Sequence, residues 1–329
     1  MIVRPLDPWC GVIVEYEDTR VFVDVNDRSE PRVKRADVVI VTHPHRDHYG
    51  GVPKVTYREL RADDVTAALL GLEDTARRMR RYFEAGLLDA RTYPVNHMCP
   101  EAKAVLLHGD ATVLVTGDWC ALGEHPPLWE SVDDDVDVLV TECTRALDRE
   151  PDDPEAEAHT LQRLLETHRD GRTVLLLNDV NPLVEAASEV ETLHVLRDDP
   201  AVRAVEAGAH GGADVVLVEE PRYPLLTSDP GRALELRPHT VITERWFLYR
   251  DEETVGELLR GTPHAYVVTG TGHATLGEIV RLVEELKPRH TVLRHGGNQT
   301  ATTARRALER TTDTEVHVWV GRKGGKLTL

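Results

Sequence analysis

The first third of the chain alternates short apolar runs with polar turns: "GVIVEY", a turn at residues 17–20, "VFVDV" and then "DVVIVTH". The β-branched residues, with a period of two in the first two runs, predict strands. Residues 62–89 read as helix, with the arginine cluster "RRMRR" on one turn. Further strands are expected at "TYPV", "AKAVLLH", "TVLVTGD" and "DVDVLVTECT". After Thr144 the acidic, proline-bearing stretch "RALDREPDDPEAEAH" marks the start of an inserted segment. Within it the pattern predicts helix 155–169, strand "TVLLL", a helical stretch near 182–196, strands "DVVLV" and "HTVIT", and helix 252–260. Alternation of this kind implies a small α/β subdomain with a parallel sheet. A final unit follows, of strand "HAYVVTG", helix 275–286, strand "HTVLRHG", helix 300–310 and strand "EVHVWV".

Composition sets outer bounds. The chain has 329 residues and 41% hydrophobic content, enough for a sizeable core. It contains no apolar run of the roughly 20 residues that a membrane helix needs. "MIVRPLDPWC" lacks the basic start and apolar centre of a signal peptide, so a cytoplasmic location is expected. Cys10, Cys99, Cys120 and Cys143 form no CxxC pair, which predicts reduced, buried thiols. The formal charge is −18, from 57 acidic and 39 basic residues, and argues against indiscriminate adhesion to nucleic acid.

The chemistry is concentrated in "VVIVTHPHRDHYGG", residues 38–51. His43, His45, Asp47 and His48 follow directly on a strand, and imidazole and carboxylate are the groups that hold Zn²⁺ or a similar ion. A tight turn can aim alternate side chains at one ion while the Asp-His pair faces a second. A lone loop histidine is usually just a polar surface residue; four ligand-type residues at this spacing are far harder to explain that way. More ligands should stand at strand ends, and His97, Asp118 and His295 do so. Asp24 has the same placement and is expected to orient a ligand by hydrogen bonding.

These residues resemble the metallo-β-lactamase fold, a four-layer αββα sandwich with a dinuclear metal site. Glu142 in "VLVTECT", His273 in "TGTGHA" and His295 in "LKPRHTVLRHGG" further resemble the three additional motifs of the β-CASP nucleases, a group that includes RNase J-type ribonucleases and compact ligase-associated exonucleases. The resemblance implies an α/β fold in which residues 1–145 and 263–329 form the metallo-β-lactamase domain and residues 146–262 a β-CASP-like insertion, shorter than in full-length family members. It implies two Zn²⁺ ions, with Mn²⁺ as an alternative. His43, His45 and His97 would hold one, Asp47, His48 and His295 the other, and Asp118 would bridge them. Glu142 would orient the site and His273 would sit beside the scissile phosphate, making Asp47, Asp118, Glu142 and His273 the catalytic set.

Two metal ions suit phosphodiester hydrolysis. Thr144 and Thr271 are candidates for binding phosphate oxygens through their hydroxyls, with plain turn chemistry as the alternative. "RRMRR", Arg289, Arg294, Arg305 and Arg306 are candidates for a basic track, although arginines paired with surrounding acids are the simpler reading. Trp246, Phe247 and Tyr249 are candidates for base stacking at a cleft between domains, with core packing expected of at least one. Three functions follow. A nuclease acting on single-stranded RNA is favoured slightly, because a histidine stands at 295 where some DNA-directed relatives carry an apolar residue. A compact DNA exonuclease and a small-molecule ester, lactone or thioester hydrolase are the alternatives. No membrane partner is expected, and a homodimer is a candidate assembly.

Overall fold

The computed structural model describes residues 1–27, 33–99, 101–148, 153–169, 171–178, 180–181, 183–269, 272–321 and 325–329. They divide into two compact units, one of residues 1–97, 101–151 and 272–329, the other of 98–100 and 152–271.

The first unit contains two seven-stranded sheets. One runs in the order Leu327–Thr328, Ile2–Pro5, Val12–Tyr16, Thr19–Val23, Val38–Ile40, Glu59–Ala62, Arg77–Arg78. The other runs Glu315–Val318, His290–Arg294, Val138–Glu142, Thr112–Val115, Lys103–His108, Leu88–Pro94, Tyr82–Ala85. One apolar cluster joins the sheets face to face: Val12, Val14, Val38 and Ile40 from the first meet Val105, Leu107, Val113, Val138, Val140 and Val292 from the second. The intervening residues Ile13, Phe22, Val39 and Val41 point the other way, into a second cluster with Leu6, Val52 and Leu60. This is why "DVVIV" is apolar without interruption: both faces of its strand are covered. The helix Asn298–Thr311 packs on the strands His290–Arg294 and Glu315–Val318 and on the helix Leu276–Leu286. Tyr49 of the short helix Arg46–Tyr49 and Leu70 of the helix Asp64–Leu70 pack on the outer cluster of the first sheet, so the layers stack as αββα.

The second unit is a six-stranded sheet in the order Val215–Val218, Leu193–Leu196, Leu225–Thr227, Thr173–Leu176, Thr240–Glu244, His264–Val268. Every pairing in it is parallel, as the alternation of helices and strands implies. Helices Pro154–Thr167 and Glu252–Gly261 stand within a few residues of their expected positions.

Three expectations fail. The strand in "HAYVVTG", His264–Val268, pairs with Thr240–Glu244 as an edge of the second unit's sheet and does not open the final unit. Residues 62–89 do not form one helix: the helix Asp64–Leu70 stops at Gly71, and Arg77–Arg78 and Tyr82–Ala85 are strands. In Tyr82–Ala85 exposure alternates residue by residue, a strand period that the charge-rich composition disguises. The chain turns back at Gly86, with φ of 68°, where a Cβ would lie 2.4 Å from Thr19 Cγ2. Likewise the stretch 182–196 divides into the helix Leu183–Ser188 and the strand Leu193–Leu196, whose Leu193 and Val195 enter the core. All four cysteines are buried and none forms a disulfide. No helix among the described residues is long and apolar enough to cross a membrane.

Candidate metal centre

The ligand-type residues gather at the ends of strands of both sheets in the first unit. His43, His45, Asp47 and His48 lie on the loop and short helix that follow Val38–Ile40, with His43 and His48 fully buried. Asp24 follows the neighbouring strand, and its backbone has φ of 60°, a left-handed value that aspartate tolerates better than most residues. Its carboxylate accepts hydrogen bonds from Thr42 N at 2.8 Å, Thr42 Oγ1 at 2.9 Å and His48 Nδ1 at 2.8 Å. Since the Thr42 hydroxyl donates to Asp24, it accepts from His43 Nδ1 at 2.9 Å. Asp24 thus fixes two imidazoles at once, one directly and one through Thr42, and leaves the Nε2 atoms of both facing inward.

His97 is fixed from another direction, donating from Nδ1 to Gly272 O at 2.9 Å. Asp118 stands at the middle of the group. Its Oδ2 lies 3.7 Å from His43 Nε2, 3.2 Å from His48 Nε2, 3.9 Å from His97 Nε2 and 3.8 Å from His273 Nδ1, while its Oδ1 lies 3.4 Å from His295 Nδ1. The preceding Gly117 has φ of 61°, and a Cβ there would meet Thr42 Oγ1 at 2.8 Å. The glycine of "TGD" therefore lets Asp118 approach the Asp24–Thr42 pair.

On the far side of Asp118, His295 Nε2 is 3.2 Å from Asp47 Oδ2. His295 also has a left-handed φ, 43°, a strained value for this residue type. Its carbonyl accepts from Cys143 N and from the Thr144 hydroxyl, both at 3.0 Å, and the same hydroxyl lies 2.9 Å from His295 Nδ1. Glu142 is buried and accepts from Ala274 N and Thr144 N, each at 2.7 Å, with His273 Nδ1 3.2 Å away.

Every ligand-type residue singled out from the sequence thus falls in one place. His43, His45 and His97 bring ligand atoms within 4.8 Å of one another, as do Asp47, His48 and His295, and both His43–His48–Asp118 and Asp118–His273–His295. Electrostatics divides the histidines. Burial holds His43 and His97 well below the ordinary imidazole range and His45 at about 4, so all three keep neutral, metal-ready lone pairs. Burial acts in the same direction on His48 and His273. There the charges of Asp118 with Asp24, and of Glu142 with Asp118, outweigh it, raising His48 well above its usual value and His273 to about 9. Asp47 and Asp118 are driven far below the carboxylate range despite burial, chiefly by the histidines around them. His43 Nε2, His45 Nε2 and Asp118 Oδ1 are buried and make no hydrogen bond among the described residues. Buried polar atoms left this way cost roughly 1–3 kcal/mol each, and a cation among them removes that cost. The donor set fits a divalent metal.

Several solved structures share this arrangement of sheets and helices. The match to a protein of unknown function from Enterococcus faecalis has a TM-score of 0.68 at 14% identity, over the full length of both chains. The metallo-beta-lactamase fold protein YhfI from Bacillus subtilis matches at a TM-score of 0.50 and 12% identity, again over both full lengths. The chain has the metallo-β-lactamase fold. No family model matches the sequence. Among curated proteins, a UPF0173 protein of Pyrococcus furiosus is 27% identical over 40% of this chain and 67% of its own length. Ribonuclease J of Mycolicibacterium smegmatis is 30% identical over 33% of this chain, and an RNase J-like protein of Methanocaldococcus jannaschii 27% identical over 50%. These two matches span about a quarter and about half of those relatives' own lengths, 23% and 47%.

Arg294 departs from its expected role, whereas Arg77, Arg78, Arg305 and Phe247 follow the simpler readings of ion pairing and core packing. Arg294 is buried, not on a basic track: its guanidinium donates to Trp319 O, Asp7 O and Gly11 O at 2.9–3.0 Å. Alternation along a strand turns it inward. Arg289 precedes the strand that His295 follows, so closeness in sequence puts them at opposite ends. Arg77 pairs with Glu59, Arg78 with Asp64 and Glu101, and Arg305 with Glu309. Phe247 is core, within the second unit. Thr271 lies outside the described residues, as does the side chain of Tyr249. Sequence reasoning missed Thr42, although its position between strand and His43 is a usable signal, and the Asp7–Arg294 pair. Asp7 also accepts from Trp9 N and Gly11 N, and Trp9 O accepts from His295 N at 3.3 Å, so this buried pair holds the loop that backs His295.

Proposed function

We propose that the chain is a dinuclear-metal-dependent nuclease hydrolysing phosphodiester bonds, with single-stranded RNA as the favoured substrate. The observation that carries this reading is Asp118, a single carboxylate with one oxygen toward His43, His48 and His97 and the other toward His295, between two groups of ligand-type residues. In it His43, His45 and His97 would hold one Zn²⁺ or Mn²⁺ ion, Asp47, His48 and His295 would hold another, and Asp118 would stand between them. When bound, such ions acidify water and neutralise charge on a phosphate.

The chain's own residues supply the rest. Asp24 and Thr42 hold His48 and His43 in the tautomers that face inward. Glu142 grips the backbone on both sides of the site and orients His273, which serves the phosphate as hydrogen-bond or proton donor. Thr144 is assigned to positioning His295, because its hydroxyl proton is directed at the His295 carbonyl. Thr271 keeps the proposed phosphate contact. The partial likeness to two RNase J-type proteins supports nucleic acid over other esters. The acidic balance and the ion-paired arginines favour the second reading, a small-molecule ester, lactone or thioester hydrolase, and a DNA exonuclease is the third.

A substrate panel separates them: 5′-monophosphorylated single-stranded RNA, the matching DNA, and a generic lactone and thioester, each with Zn²⁺ and with Mn²⁺ over a range of salt. RNA cleavage above DNA cleavage is expected. Turnover of only the lactone or thioester rejects the nuclease reading, and cleavage of DNA alone moves the assignment to the DNA exonuclease.

A further inference from the structure

Three more metal-ligating side chains meet at the other end of the strand that leads to His295. His290 opens this strand and lies opposite Glu315 in the parallel register, and His317 follows Glu315 at a spacing of two. That spacing puts Glu315 and His317 on one face, and the register brings His290 beside them. Glu315–Val318 is an edge strand, so the group is open to solvent on one side.

His290 Nδ1 lies 3.3 Å from Glu315 Oε2 and 3.4 Å from His317 Nε2, and His317 Nε2 lies 3.5 Å from Glu315 Oε1. These distances are longer than the roughly 2.7–3.2 Å of good hydrogen bonds. They equal the edges of a coordination tetrahedron: bonds of about 2.0–2.2 Å to zinc place neighbouring ligand atoms roughly 3.3–3.6 Å apart. The side chains of His290 and His317 are 11% and 20% exposed and that of Glu315 is 66% exposed, which puts two sheltered imidazoles beneath a carboxylate at the rim. Arg305, the cation that acts on His317, is itself held by Glu309 at 2.6 Å.

We infer that His290, Glu315 and His317 bind one divalent transition-metal ion at a site separate from the centre around Asp118. Two imidazoles and one carboxylate suit Zn²⁺, Ni²⁺ or Cu²⁺ rather than Mg²⁺ or Ca²⁺, and water completes the shell. Five residues of strand, about 16 Å, separate His290 from His295, so the two sites share no ligand. The ion clamps the edge strand to its neighbour and acts as a structural staple. This assignment stands whatever the centre around Asp118 hydrolyses.

The test uses the full chain, stripped by a chelator, reloaded with Zn²⁺ and assayed for bound metal by mass spectrometry and by titration against a competing chelator. Wild type is expected to bind one equivalent more than His317→Gln or Glu315→Gln. Affinity for that equivalent should fall at least about tenfold in each variant, with the rate of hydrolysis unchanged. Equal stoichiometry and affinity in wild type and variants overturn the proposal. Should His317→Gln fail to fold, Glu315→Gln, a substitution near the surface, decides the matter alone.

Discussion

Asp24→Asn is nearly isosteric, yet it strikes the hydrogen bonds that aim two histidines. If the amide oxygen keeps the bond from Thr42 N, the amide nitrogen takes the place of Oδ2, which now accepts from Thr42 Oγ1 and His48 Nδ1. Two donors then face each other. His48 relieves the conflict by moving its proton to Nε2, the atom 3.2 Å from Asp118, and so gives up the lone pair a metal would use. A hydrogen bond to a charged group is worth about 1.5–3 kcal/mol, and about 1.4 kcal/mol is tenfold in affinity. Zn²⁺ affinity should therefore fall roughly 10- to 100-fold, the range usual for partners that orient a ligand. Asp24→Ala goes further: it leaves the buried Thr42 N–H without an acceptor and lowers folding stability by a further 1–3 kcal/mol or so. Zn²⁺ titration of metal-stripped protein against a competing chelator, with thermal unfolding as control, measures both. Wild-type affinity in Asp24→Asn would refute the claim that Asp24 orients His48 toward a metal.

Three further outcomes are expected. His43→Ala or Asp118→Ala should strip bound metal and abolish hydrolysis, and a variant retaining two ions per chain at that centre would sink the dinuclear assignment. Arg294→Met leaves Asp7 buried without its cation and should cost about 3–5 kcal/mol, read by urea unfolding through tryptophan fluorescence, since four of the five tryptophans lie in the first unit. His210, in the second unit, has both ring nitrogens buried without hydrogen bonds among the described residues, and burial lowers its pKa to about 4. The unfolded chain, titrating near 6.5, binds the proton first, so stability is full above about pH 6.5 and declines by roughly 3 kcal/mol toward pH 4. His210→Leu should flatten that slope, and an unchanged pH profile would show that another group carries it.

What was legible in the sequence was whatever obeyed a local period or carried a distinctive group. The runs "GVIVEY" and "VFVDV" announced strands because their β-branched and aromatic residues suit a pleated sheet, here covered on both faces. "THPHRDH", Asp118 and His295 announced themselves because ligand-type side chains seldom follow apolar runs in such numbers. Tyr82–Ala85 was hidden because its outward positions are polar or charged at a spacing that charge-rich helices also show. Arg294 was misread because a charge beside a ligand suggests a substrate contact, whereas strand alternation sends it inward against Asp7, 287 positions away in sequence. Thr42 was overlooked for a related reason: its role exists only once Asp24 and Gly117 are brought to it by two separate strands. Contacts set by sheet register between distant segments leave no local pattern to read.

In the proposed reaction the group around Asp118 cleaves phosphodiesters with His273 as donor. The most direct test compares wild type and His273→Ala, both metal-loaded, on 5′-monophosphorylated single-stranded RNA, with bound metal measured on the same samples. Wild type should cleave, and the variant should keep its metal but turn over about 10²- to 10⁴-fold more slowly. Cleavage by the variant at the wild-type rate, or loss of metal in step with activity, would contradict that role.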